Sequence, residues 1–156
     1  MMNKTNALRI LDSSGITYTT HGYDPSDGMI DGMSVASKLG RPPEIVFKTL
    51  VAAGKATGLK VFIIPVDCEL DLKKAALAAG EKFVEMIKSR ELESETGYIH
   101  GGCSPIGMKK RFPTFIEETA QFLDTMIVSA GHIGLQAELS PKDLAFLTAA
   151  KFCDLV

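Results

Sequence analysis

Two runs, Ile45-Val46-Phe47-Lys48-Thr49-Leu50-Val51-Ala52 and Leu59-Lys60-Val61-Phe62-Ile63-Ile64-Pro65-Val66, decide the fold class of this chain. Both are dominated by β-branched and aromatic residues, and Gly54-Lys55-Ala56-Thr57-Gly58 between them has the composition of a hairpin turn. Both runs are apolar enough for strands in the middle of a sheet.

Helical and extended segments alternate on either side of this hairpin. Upstream, Ala7, Leu8 and Leu11 recur at helical spacing within residues 4–14, and Ser14-Gly15 supplies a stop. Residues 16–23, rich in threonine, read as a strand, and residues 24–33 as an exposed loop. A short helix over 34–39 takes Ser34 as its cap and ends at Gly40 and Pro42-Pro43. Downstream, Asp71 caps a helix through Ala79 that Gly80 closes, residues 83–86 form a short strand, and 89–95 a charged helix. Strands follow over 114–117, 125–129 and 134–139, and Ser140-Pro141 opens a last helix running through Ala150. The interleaving predicts an α/β fold: one domain over residues 1–156, a mixed sheet flanked by helices.

With 46% hydrophobic and 23% charged residues, ordinary values for a globular protein, 156 residues suffice for one real core, and the composition argues against wholesale disorder. A net charge of −2 argues against a generally basic nucleic-acid binder such as a DNA-coating protein, though not against a local cationic patch. No apolar stretch approaches the roughly 20 residues that span a bilayer, and the first residues lack a signal-peptide core, so no membrane partner is expected. Cys68, Cys103 and Cys153 are odd in number and widely spaced, as free thiols in a reducing cytoplasm would be. The three histidines have no ligand spacing, and neither metal nor other cofactor is expected.

Several features could carry chemistry. Lys48 interrupts an apolar strand; it either snorkels to water from a half-exposed edge or stands as a fixed positive charge in a cleft. The loop Gly101-Gly102-Cys103-Ser104-Pro105-Ile106-Gly107 is a tight structural turn or an anion-binding nest of backbone N–H groups, without the P-loop spacing. Lys109-Lys110-Arg111, directly after it, suits phosphate or is a solvated face. Tyr23 and Ser129 stand at strand ends where a side chain can orient a ligand or simply begin a turn. Cys103 invites a nucleophile reading with His100, His21 or His132 as base, but no nucleophile signature surrounds it.

Together these features have a family's order and spacing. The chain resembles the YbaK/EbsC family of Cys-tRNA(Pro) deacylases, related to the editing domain inserted in bacterial prolyl-tRNA synthetases. The motifs are His21-Gly22-Tyr23-Asp24, Phe47-Lys48-Thr49-Leu50, Leu72-Lys73-Lys74-Ala75-Ala76, Gly97-Tyr98, the Gly101–Gly107 loop, Lys109-Lys110 and Ser129-Ala130-Gly131. The resemblance extends from about Thr5 to Leu155. It implies a partly barrel-like mixed sheet with an editing cleft at its rim. Lys48 becomes the central functional lysine and Gly101 a catalytic backbone cradle. Tyr23, Gly102, Cys103, Ser104, Pro105 and Ser129 become the substrate pocket, and Lys109, Lys110 and Arg111 the tRNA contact. The implied chemistry is substrate-assisted: the cysteinyl thiol attacks its own ester carbonyl and leaves as a thiolactone. The implied partners are the aminoacyl-tRNA acceptor end and prolyl-tRNA synthetase. Some members carry an aliphatic residue at the place of Cys103, and some an acid a few positions after Ser129-Ala130-Gly131, where this chain has His132-Ile133-Gly134-Leu135-Gln136. The same chemistry on Ala-tRNA(Pro), or a non-catalytic tRNA-acceptor or nucleotide-binding module, stands as an alternative.

Overall fold

The computed structural model describes residues 4–55 and 58–156. The hairpin strands are β2 (Phe47–Gly54) and β3 (Gly58–Pro65), antiparallel and in register from Phe47↔Pro65 to Gly54↔Gly58. Ala56 and Thr57 of the expected turn lie outside the described residues. As expected for buried strands, Val61, Phe62, Ile63 and Ile64 are all essentially inaccessible.

The remaining elements are α1 (Asn6–Ser13), β1 (Tyr18–Gly22), α2 (Gly32–Leu39), α3 (Leu72–Ala79), β4 (Val84–Met86), α4 (Ser89–Thr96), β5 (Thr114–Glu117), β6 (Met126–His132), β7 (Leu135–Leu139), α5 (Pro141–Thr148) and β8 (Lys151–Cys153). Local signals set most of the boundaries. Asp71 caps α3 by accepting from Lys73 N and Lys74 N, and Gly80 closes it in the left-handed conformation. The cap of α2 is a correction: it is Asp31, whose carboxylate accepts from Ser34 N at 3.1 Å and from Ser34 Oγ at 2.6 Å. Ser34 is therefore inside the first turn. The helix can begin that early because Gly32 packs on Val66, where a Cβ would fall 2.5 Å from Val66 Cγ1.

Among the described residues the strands form two hydrogen-bonded sheets. Five strands run in the order β4-β2-β3-β5-β8, with β3-β5 and β5-β8 parallel and the other pairs antiparallel; three antiparallel strands run β1-β7-β6. The mixed α/β character matches the sequence reading, while the single expected sheet is divided in two. A lone parallel bridge, Val46↔Ile127, joins them. The final helix stops at Thr148, with Ala149 in the left-handed region (φ 54°), and residues 151–153 form a strand that the sequence did not announce.

The main core fills the space between the sheets, drawing on Phe47, Val51, Ile63, Ile116, Met126, Val128 and Leu139 with α1 and α5. A second cluster under α3 holds Phe62 and Phe115, stacked with centroids 5.5 Å apart. The outer face of the small sheet is held by Glu138. Its carboxylate takes both arms of the Arg41 guanidinium (2.9 and 2.7 Å), the Thr125 hydroxyl (2.5 Å) and His21 Nε2 (2.8 Å). Hydrogen bonding to Arg41 first, then to Thr125 and His21, holds this carboxyl down at about 2.

Candidate active site

Pairing of β2 with β4 begins only at Ala52, so the stretch before it keeps an open edge. That edge, residues 46–50, forms one wall of a cavity of about 330 Å³ at the seam between the sheets. Ser129 of β6 and Gln136 of β7 contribute from the small sheet, Ile30, Asp31, Gly32 and Val35 from the start of α2, and His100, Gly101 and Cys103 from the glycine-rich loop. Two residues beyond the Val46↔Ile127 bridge on each strand stand Lys48 and Ser129, so the bridge sets one opposite the other across the seam.

Lys48 is half-buried and, among the described residues, forms no hydrogen bond or ion pair. By contrast, Lys38 is engaged with Asp24 O, Asp27 and Met29 O, and Arg41 with Glu138. An unneutralised ammonium in a confined, largely apolar cavity attracts an anion or a carbonyl oxygen that gains negative charge. The Thr49 hydroxyl beside it is buried and lacks a hydrogen-bond partner.

The glycine-rich loop reaches the cavity because it can lie flat on the small sheet. Gly101 has φ +85°, and a Cβ there would fall 2.7 Å from Ile30 Cδ1; at Gly102 it would meet Ile133 N at 3.1 Å. The loop is braced from behind by Tyr98 Oη donating to Ile106 O (2.6 Å) and by Asn6 Nδ2 donating to Gly107 O (2.9 Å). Two of its N–H groups are spent internally, Gly102 N on Ile99 O and Ile106 N on Ser104 Oγ, so the nest is smaller than the sequence suggests.

The structure thus brings Lys48, Gly101, Cys103 and Ser129 together and leaves Gly102, Ser104, Pro105 and Tyr23 outside the lining. Ser104 is fully buried within the loop. Tyr23 lies under the Lys38 ammonium (5.6 Å to the ring centroid), with its hydroxyl buried and unpartnered. Pro105, Lys110 and Arg111 line a separate groove of about 240 Å³ between α1, α5 and the far flank of the loop. There Arg111 donates to Leu147 O at 3.0 Å, while Lys109 turns to Ser94 O. Gln136, Thr49 and Asp31 were given no role by sequence, although Thr49 lies in the Phe47-Lys48-Thr49-Leu50 motif and Gln136 ends the stretch after Ser129-Ala130-Gly131.

Cys103 has the position but not the state of a nucleophile. Burial pushes its thiol up to about 11, against a smaller opposing effect of a hydrogen bond to Thr96. His21 is committed to Glu138 and His132 to Ile133 O, which leaves the exposed His100 on the cavity rim. Among the described residues, no group of three or more His, Cys, Asp or Glu side chains is arranged to hold a metal ion. No helix among them is long and apolar enough to cross a membrane.

This two-sheet α/β fold recurs in solved structures. One is described provisionally as a trans-editing enzyme for prolyl-tRNA synthetase (TM-score 0.83, 23% identity, 99% of this chain and 98% of that one). Another is the hypothetical protein APE2540 (TM-score 0.87, 22% identity, 97% and 99%). In sequence, 152 residues are 47% identical to an Enterococcus faecalis protein provisionally named Cys-tRNA(Pro)/Cys-tRNA(Cys) deacylase EbsC, covering 97% of this chain and 93% of the relative. Residues 33–147 match the model of the aminoacyl-tRNA editing domain, and the chain belongs to that family.

Proposed function

We propose that this protein is a trans-editing deacylase that cleaves the ester of Cys-tRNA(Pro). The observation that carries the reading is Lys48, a cation without an ion pair among the described residues, on the wall of a cavity sized for a small aminoacyl group, in a chain 47% identical over nearly its whole length to the E. faecalis relative. An aminoacyl ester is already activated, so orientation and charge stabilisation supply much of the rate without a nucleophile from the protein. The substrate's thiol passes its proton to solvent water and its sulfur bonds to the ester carbonyl carbon. Lys48 steadies the negative charge on the carbonyl oxygen, with the Gly101 backbone as a second contact. The bond to the ribose oxygen then breaks, that oxygen takes a proton, and cysteine leaves as a thiolactone that water opens. Ser129 and Cys103 shape the pocket, and Tyr23, Gly102, Ser104 and Pro105 support its walls.

Cys-, Ser-, Ala- and Pro-tRNA(Pro) distinguish this from its competitors. A pocket separates side chains this similar by only about 1–3 kcal/mol, whereas serine's hydroxyl is a far poorer nucleophile than a partly ionised thiol. Cysteine is therefore expected to be released far faster than serine or alanine, and S-methylation to abolish turnover. Equal rates would point to an activated water, and release of alanine alone to an Ala-tRNA(Pro) editor. Binding without any release would leave an acceptor-binding module.

Cys103→Ala is expected to retain most activity, because a thiol held at about 11 is almost wholly protonated at neutral pH. A covalent aminoacyl adduct on Cys103, seen by mass spectrometry, would reverse that assignment.

The loop's far groove, with Lys110 and Arg111, is the proposed seat of tRNA phosphates, and Lys109 flanks it. Affinity for tRNA is expected to fall steeply with salt and to carry little sequence identity. Lys110→Glu with Arg111→Glu should raise KM more than it lowers kcat. Silence of both reversals would put the tRNA face elsewhere. A site of this kind works in the cytoplasm beside prolyl-tRNA synthetase, which would supply the recognition of tRNA identity that so small a domain lacks.

A further inference from the structure

One largely buried polar side chain on the cavity wall has no hydrogen-bond partner among the described residues. Gln136 is only 5% exposed, lines the cavity, and makes no side-chain hydrogen bond among the described residues. A largely buried amide loses most of its hydration unless something bonds to it, so Gln136 marks where a ligand completes the structure. Gln136 is firmly placed: it is the register partner of His21 on one side and of Ser129 on the other, in the middle strand of the small sheet. Glu138, two residues on and facing the same way, is consumed by Arg41, Thr125 and His21. Asp31 at the cavity's edge is consumed by capping α2.

The cavity thus has a positive pole at Lys48 on the large sheet and a neutral acceptor, Gln136, contributed by the small sheet. An aminoacyl ester has the complementary polarity, with an ester carbonyl that gains negative charge and an α-ammonium that Lys48 repels. We propose that Gln136 Oε1 binds the substrate's α-ammonium and so fixes which way round the aminoacyl group enters. The proposal rests on the deacylase reading and adds a selectivity to it. Esters with a blocked amine, peptidyl-tRNA among them, lose this contact and are spared.

The test compares a stable amide analogue, 3′-cysteinylamino-3′-deoxyadenosine, with its N-acetyl form by calorimetry. The wild-type protein should bind the free amine about tenfold or more tightly, as befits a charge-assisted hydrogen bond. In Gln136→Met, of similar shape, the two affinities should converge. In Gln136→Glu the preference should persist and acquire a pH dependence as the new carboxyl titrates. Turnover should follow: Gln136→Met slows release from Cys-tRNA(Pro) while leaving any residual release from N-acetyl-Cys-tRNA(Pro) unchanged. An equal preference in wild type and Gln136→Met, no preference in wild type, or binding of neither analogue overturns the assignment. Failure of the wild-type protein to release cysteine from Cys-tRNA(Pro) would instead overturn the deacylase reading, and the analogue comparison would still judge Gln136.

Discussion

Lys48→Ala is expected to lower the rate of Cys-tRNA(Pro) deacylation by about 10²–10³, the loss that follows removal of one group stabilising a developing oxyanion. The effect should fall on kcat more than on KM, because the charge matters most when the carbonyl oxygen carries its negative charge. Stability should change little. Lys48 is half-buried at an open strand edge, contributes no ion pair among the described residues, and leaves no core void when truncated. Lys48→Arg should restore only part of the rate, since a planar fork cannot occupy the position of a compact ammonium. Single-turnover kinetics on a variant with an unchanged circular dichroism spectrum decide the matter; near-normal turnover by folded Lys48→Ala removes the lysine from the mechanism.

Glu138→Gln is expected to cost about 2–4 kcal/mol of folding stability at neutral pH, because it leaves Arg41 without its carboxylate and breaks a three-partner cluster. The same carboxyl sets a pH dependence. Folding lowers it from its ordinary 4.5 to about 2, so its contribution is whole above the ordinary carboxylate range and drains away as pH falls from there toward 2. Denaturant unfolding at pH 7 and pH 3 should therefore show the wild-type protein losing its advantage over Glu138→Gln at the lower pH. A constant difference between the two proteins would mean that the cluster is not held by charge.

Whatever was legible in the sequence was local. Asp71 and Gly80 bound α3, Ser140-Pro141 opens α5, and the two apolar runs pair, because caps, turns and burial periodicity act within a few residues. The split into two sheets was hidden because it depends on where β6 and β7 find partners far along the chain. So was β8, three residues long and indistinguishable in composition from the tail of a helix. At the site, Lys48 and Ser129 stood out as polar residues in apolar strands. Gln136 did not, since its burial comes from what packs over the outer face of β7, which it shares with Glu138, and not from the inward face that carries Ala137 and Leu139. Nor could sequence tell that the glycine-rich loop has two flanks, one turned to Lys48 and the other carrying Pro105, Lys110 and Arg111.

The pairing of β1 with β7, Tyr18 against Leu139 and Gly22 against Leu135, has a consequence for how the chain is born. At about 5–20 residues per second, β1 waits roughly 6–23 s after its own synthesis before its neighbour exists. During that interval the hairpin β2–β3 can close by itself, since its two strands are adjacent in sequence. The wall bearing Lys48 thus precedes the wall bearing Ser129 and Gln136. The cavity comes into being only when the last third of the chain has emerged, and until then the apolar stripe of α1 and one edge of β1 are left for chaperones to cover.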